Sequence, residues 1–208
     1  MKERLEFVQK MLQLRVKLGS DSKAAEMLEQ GCSLNDFPGT AELQAASWET
    51  NECIGSDSGG DVVVYERWGA IDVPKFLDQF SVDEFKLWDT YRHEARAIAL
   101  DLLSRRSKRV VQYSHVIDVG GWNFTHRNMM PYYKLYAAGC KTVPPMRNTT
   151  HWVRGSSIAT TIFRLVKRAG FLTEHQNRTA FLHHGADPFH SSPDFAARFE
   201  RSALPADV

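Results

Sequence analysis

The chain has no uninterrupted apolar run approaching the roughly 20 residues that a membrane-spanning helix needs. Its first residues, MKERLEFVQKMLQLRVK, mix charges throughout, so a secretory leader is not expected. Cysteine is sparse: Cys32, Cys53 and Cys140 are odd in number, far apart and in no CxxC pattern. That argues against a disulfide framework and a cysteine zinc site, and reduced thiols in a cytosolic setting are expected. Net charge is small, +1 from 26 basic and 25 acidic residues among 208. Any attraction to nucleic acid or membrane must therefore come from local clustering. Internal repeats, low-complexity tracts, a GxxxxGK[ST] loop and an HExxH motif are all missing. Hydrophobic residues reach 43%, enough to offset chain entropy, so wholesale disorder is excluded.

What is present alternates between strand and helix patterns. Leu5, Val8, Leu12 and Val16 recur at helical spacing until Gly19, and a second short helix holds Ala24, Ala25, Met27 and Leu28. The pattern weakens from Gly31 to Asp61, ending in the turn-like GSDSGGD at 55–61. Val62 to Tyr65 reads as a strand, and Asp72-Val73-Pro74 as a capped helix start. Ser81 with Glu84 forms a capping box for the longest helix, whose apolar face is Phe85, Trp88, Tyr91, Ala95, Ile98 and Leu102. That helix ends in the basic patch Arg105, Arg106, Lys108 and Arg109. VVQYSHVIDV at 110–119 is the best strand, central and covered on both faces. A helix through Met129, Tyr133, Tyr136 and Cys140, a strand at Thr150–Val153, a helix through Ile158, Ile162, Leu165 and Ala169, and a strand at Thr179–Leu182 follow. Ser192-Pro193-Asp194 opens a last helix. The fold class is α/β, with a small mixed sheet as floor, helices on one side and a short N-terminal helical segment.

Several constellations invite chemistry. Ser58 in DSGG resembles the surroundings of a serine-protease nucleophile, but the first histidine is His93 and the chain is helix-rich; a turn is the preferred reading. His183 and His184 are adjacent on a strand and point to opposite faces, so they do not chelate together. The aromatic and methionine side chains around the sheet are either core or the wall of an apolar cavity. From Arg147 to Arg178 six cations face one carboxylate, Glu174, a local charge of +5 beside Phe163, Phe171 and Leu172. A solvated face and a membrane-touching element are the two readings of that segment. No nucleic-acid reading motif accompanies it.

The order of these elements resembles the CRAL-TRIO lipid-binding family. VVVYERWGAID (62–72) is similar to its first sheet strand, VVQYSHVIDVGGW (110–122) to its central strand, and PPMRNTTHWVRGSSIATTIFRLVK (144–167) to the segment leading into its gate. Phe171-Leu172 with TEHQNRTAFL resembles the pocket-closing helix and the strand after it. SALPADV resembles the terminal motif, and LRVKLGSDSKAAEML (14–28) the end of the preceding helical region. The resemblance implies an N-terminal segment over 1–35 and a lipid-binding domain over 36–208. It implies one phospholipid or similar hydrophobic lipid in an internal pocket, transferred or presented at membranes through a mobile gate around Ile158 to Arg178. Tyr113, His115, Ile117, Asn123 and Thr125 are the implied pocket residues, with Ile158, Ile162, Phe163, Leu165 and Val166 on the gate side. Arg164, Lys167, Arg168, Phe171 and Leu172 are the implied membrane contacts. The positions where inositol-lipid-binding members secure the headgroup are here Leu135, Gln176 and Thr179, a departure from the usual contacts. The expectation is a cytoplasmic, peripheral membrane protein, monomeric, with no catalytic centre, no metal, no cofactor and no nucleic-acid partner. The alternatives are a module that docks membranes or proteins without lipid cargo and, further off, a serine hydrolase using Ser58.

Overall fold

A computed structural model of the chain describes residues 39–139, 146–168, 179–206 and 208, with positions 9, 12–13, 15–17, 19, 21–22 and 25–26 before them. In chain order the elements are α1 (Thr40–Ala45), β1 (Glu49–Ser56), β2 (Val62–Arg67), α2 (Val73–Gln79), α3 (Val82–Ser107) and β3 (Tyr113–Asp118). They continue with α4 (Met130–Gly139), β4 (Arg147–Gly155), α5 (Ser157–Arg168), β5 (Ala180–His184), α6 (Pro188–Ser191) and α7 (Pro193–Arg198). Among the described residues the strands form one sheet in the order β1-β2-β3-β4-β5. β1 pairs antiparallel with β2, and all other neighbours are parallel. The α/β class and the mixed sheet are as the sequence implies.

Local chemistry sets the helix starts. Asp72 accepts from the Lys75 amide and Pro74 sits in the first turn of α2. The Ser81 and Glu84 side chains exchange hydrogen bonds with each other's backbone amides at the start of the 26-residue α3. Ser192 caps α7, again with proline in the first turn. The strand 110–119 is shorter than expected: before Tyr113 the Val111 and Gln112 amides donate to the Ser104 hydroxyl and the Asp61 carboxylate. β1 was not expected: its sequence, ETNECIGS, is polar and lies at the sheet edge, interrupted by a bulge between Asn51 and Gly55.

Two cores lie on opposite faces of the sheet. On one, α3, α4 and α5 cover a cluster that includes Trp48, Trp68, Phe76, Phe85, Ile117, Tyr133, Trp152 and Phe163. The rings meet edge-on and stacked, as Trp68 does on Tyr133 with centroids 4.9 Å apart. On the other face the C-terminal segment buries Val63, Tyr65, Val116 and Val153 beneath Phe195, Phe199, Leu204 and Val208. The turns after β2 and β3 lie against each other. A Cβ on Gly69 would overlap the carbonyl oxygen of Gly120, and Gly121 adopts φ +97°. The N-terminal residues reach α3 through Arg15, which donates to Glu94 at 2.8 Å. The domain boundary drawn at 35/36 falls outside the described residues.

Candidate functional site

The sequence-expected pocket residues of β3 face the helix layer and meet a buried ion network. Glu66, the one acidic residue of β2, is fully buried. It accepts from Trp68 Nε1 at 2.6 Å, Arg92 at 2.5 Å and the Tyr136 hydroxyl at 3.1 Å. Arg96 stands 3.6 Å away, and His115 Nε2 3.2 Å. Burial disfavours the Glu66 charge, but Arg92, His115 and Arg96 outweigh it and hold the carboxyl well below its usual range. His115 goes the other way: burial pushes its imidazole down to about 3 despite Glu66, so it is neutral at pH 7. Burial likewise raises Asp89 to about 6, although Arg92 lies 2.7 Å from it. The Arg92 guanidinium is held over the Trp88 ring at 4.9 Å and the Tyr136 ring at 4.4 Å. Arg96 and Arg147 both lie over Tyr113, whose hydroxyl accepts from Arg147 at 3.0 Å. Tyr113 and His115 thus sit within this network, while Ile117 belongs to the aromatic core.

The gate-side residues fall on α5, laid over β4. Ala159 and Phe163 are its buried side chains among those described, and Phe163 meets Trp152 edge-on at 5.2 Å. Ile162 packs against the same core cluster that contains Ile117 and Phe163. Ile158 is half-buried, and the side chains of Leu165 and Val166 lie outside the described residues. Of the membrane-contact set, Arg164 and Arg168 are exposed. Lys167 turns back instead: its Nζ donates to the Ala180 carbonyl at 3.2 Å and lies 5.1 Å from the Phe163 ring. Phe171 and Leu172, like Gln176, lie outside the described residues. Asn123 and Thr125 are exposed and not beside the β3 trio. Asn123 Oδ1 accepts from the Thr125 amide at 2.9 Å and hydroxyl at 2.6 Å, capping a short turn. Thr179 gives its carbonyl to the Thr150 amide. Leu135 lines a cavity of about 310 Å³ with Lys17, Val82, Lys86, Asp89 and Gly139, between α3, α4 and the N-terminal residues.

A second concavity, about 350 Å³, opens on the C-terminal face and is lined by Ser58, Thr149, His151, His183, Asp194 and Arg198 among others. The imidazoles of His151 and His183 stack at 8° and share a hydrogen bond of 3.0 Å. Burial pushes His151 down to about 3 and lowers His183. Histidines therefore do lie near Ser58, which chain order alone did not suggest. No hydrogen bond joins the Ser58 hydroxyl to either imidazole among the described residues. Its backbone amide donates to Arg198, and Asp57 beside it accepts from Ser114 and Arg198, which makes this segment a structural clamp. Among the described residues no group of three or more His, Cys, Asp or Glu side chains could hold a metal ion.

Sequence reasoning counted Arg147 in the basic segment, whereas the structure buries it against Tyr113, and it missed Glu66, Asp89, Arg92 and Arg96. Their signal was faint but present: a carboxylate closing the apolar run VVVYE, and a dense DTYRHEAR stretch in the middle of a core helix.

No family model matches the sequence, and no curated protein does. The solved structure of Sfh5, a Sec14-family protein of CRAL-TRIO type, matches the fold with a TM-score of 0.64 at 17% identity. The match covers 88% of this chain, which spans 60% of the length of the matched one. The architecture of this chain is therefore CRAL-TRIO-like: a mixed five-stranded sheet with its large helices on one face.

Proposed function

We propose that this chain binds a hydrophobic, tail-bearing lipid, a phospholipid or one like it, between α5 and the sheet and presents or transfers it at membranes. The observation that carries this reading is the attachment of α5. Among the described residues its buried side chains are Ala159 and Phe163, and Arg164 and Arg168 turn outward. Removing a buried phenylalanine from its contacts costs about 1.5–3 kcal/mol. Lifting Phe163 off Trp152 is thus one local step in opening α5. An acyl chain passing from a bilayer to a dry pocket changes little in hydrophobic free energy, so the helix movement sets the rate. Ile117, Ile162, Phe163 and Trp152 would be the first side chains a tail meets. The Arg164 and Arg168 guanidiniums suit an anionic surface, each favouring it by about 1 kcal/mol. No described helix is long and apolar enough to cross a membrane. In this reading the protein works as a peripheral monomer on the cytoplasmic side, without catalytic chemistry, cofactor or nucleic acid.

The test is lipid extraction of the purified protein followed by mass spectrometry. One equivalent of lipid per chain is expected, with faster transfer between vesicles in Phe163→Ala. A second reading, a CRAL-TRIO-like module that docks without cargo, is favoured by the filled helix-side interior, where rings and ion pairs occupy the space around Tyr113, His115 and Trp68. A lipid-free protein that still binds vesicles, with a Phe163→Ala variant that transfers nothing, would establish that reading instead.

A further inference from the structure

The far end of α3 is built unlike the rest of that helix. From residue 101 to 110 every residue but Ser104 is exposed. Three of them are aliphatic: Leu102 is 48% exposed, Leu103 38% and Val110 81%. Four are cations, Arg105, Arg106, Lys108 and Arg109, against the single carboxylate Asp101, a local charge of +3. The tip is also tied back on itself. Lys108 ends the helix in a left-handed conformation, φ 56°. The Val111 amide then donates to Ser104 Oγ at 2.8 Å, folding the chain back against the last turns and setting Val110 beside the helix. Leu100 and Val111 are buried beneath it with Tyr113. Arg109 is committed to the β2 turn, through Asp61 at 3.3 Å and the Gly60 carbonyl. Arg106 and Lys108 have no such carboxylate partner among the described residues, while Arg105 pairs with Asp101 at 2.7 Å.

Topology puts this tip at the same end of the molecule as the cationic end of α5. Tyr113, the first residue of β3, lies beside Val62 and Arg147 where the parallel strands begin. Lys167 reaches Ala180, the first residue of β5, at that same end. Water-exposed aliphatic side chains among cations suit a layer that is anionic at its surface and apolar a few ångströms below. We propose that the Leu102–Val110 tip of α3 is a second membrane-docking foot, which inserts Leu102, Leu103 and Val110 shallowly into an anionic lipid surface while Arg106 and Lys108 meet its headgroups. It rests on the reading that the protein works at membranes, and not on the presence of cargo.

The test is sedimentation of the full chain with phosphatidylcholine vesicles, with and without phosphatidylserine. Arg106→Glu with Lys108→Asn, asparagine being tolerant of the left-handed cap, should weaken binding to the anionic vesicles at least about tenfold. Leu102→Gln with Val110→Thr keeps the charges and should weaken it several-fold. Both should leave circular dichroism and melting temperature unchanged. Two results would overturn the proposal. In one, neither pair changes vesicle binding while Arg164→Glu with Arg168→Glu abolishes it; α5 then docks alone, and the proposed lipid function stands. In the other, the wild-type chain ignores anionic vesicles but is retained on immobilised polyglutamate through Arg106 and Lys108; the tip then serves an acidic protein partner. Extracted lipid reports separately on cargo in every arm.

Discussion

The two faces of the sheet are filled by different physics. Beneath α3 and α4 lies a layer of rings threaded by ions, in which Glu66, Asp89 and Arg92 are fully buried and each serves several partners. Beneath α6 and α7 lies a smaller cluster of aliphatic, phenylalanine and tyrosine side chains; its polar groups are the stacked His151–His183 pair and, at its margins, Asp118 with Tyr65 and Arg154 and Asp57 with Ser114 and Arg198. The contrast teaches that burial in this fold follows partners as much as hydrophobicity. The ionic layer shares one carboxylate among several donors and fails as a set, whereas around Phe195 and Phe199 the C-terminal layer depends on volume filled.

The sharpest way to break the contrast is to remove one member of the set. Glu66→Ala should destabilise the protein by about 3–5 kcal/mol in chemical denaturation, because it strands Arg92 and Arg96 in a dry interior. On the other face Phe195→Ala should cost about 3 kcal/mol by opening a cavity. Its partner Phe199→Leu should cost far less, since the volume is nearly kept. If Glu66→Ala were as mild as Phe199→Leu, the ionic layer would not be a unit. The most gradual effect is the pH dependence. His115 and His151 sit on opposite faces and both are pushed down to about 3 by burial. Their contribution is complete above the ordinary histidine value and is lost as pH falls toward 3, each at about 1.4 kcal/mol per pH unit. Asp89, raised to about 6, has the opposite sign and offsets one of them between its ordinary value and pH 6. Stability should therefore decline on acidification below about pH 6.5, and in Asp89→Asn the decline should be steeper.

Much of the fold was legible where neighbours in sequence decide the outcome. The Ser81–Glu84 box, Asp72 before Pro74 and Ser192 before Pro193 each satisfy backbone amides within three residues, and all start helices where expected. The spacing of Ile158 and Ile162 gave α5. The buried face of α3 was not legible in the same way. Tyr91, Ala95 and Ile98 are only partly buried, while Arg92, His93, Glu94 and Arg96 go inside, because Glu66, 26 residues earlier, receives Arg92. Periodicity counts apolar residues and has no means of pairing a distant carboxylate with an arginine. The same limit applies at the candidate site. Resemblance placed Tyr113, His115 and Ile117 on one strand face, but what lies against them is a matter of packing. Asn123 and Thr125, read as lipid contacts, carry a local signal as well, that of an asparagine turning the chain back on its own hydroxyl neighbour.

All five tryptophans, Trp48, Trp68, Trp88, Trp122 and Trp152, belong to the ring-filled layer, and the C-terminal layer holds none. Intrinsic emission is accordingly a one-sided gauge. It registers the loosening of the ring-filled layer and stays silent when the tail segment peels from the opposite surface. Thermal traces recorded by fluorescence and by ellipticity would coincide for a single cooperative body, and any gap between them would measure how independently the two sides let go.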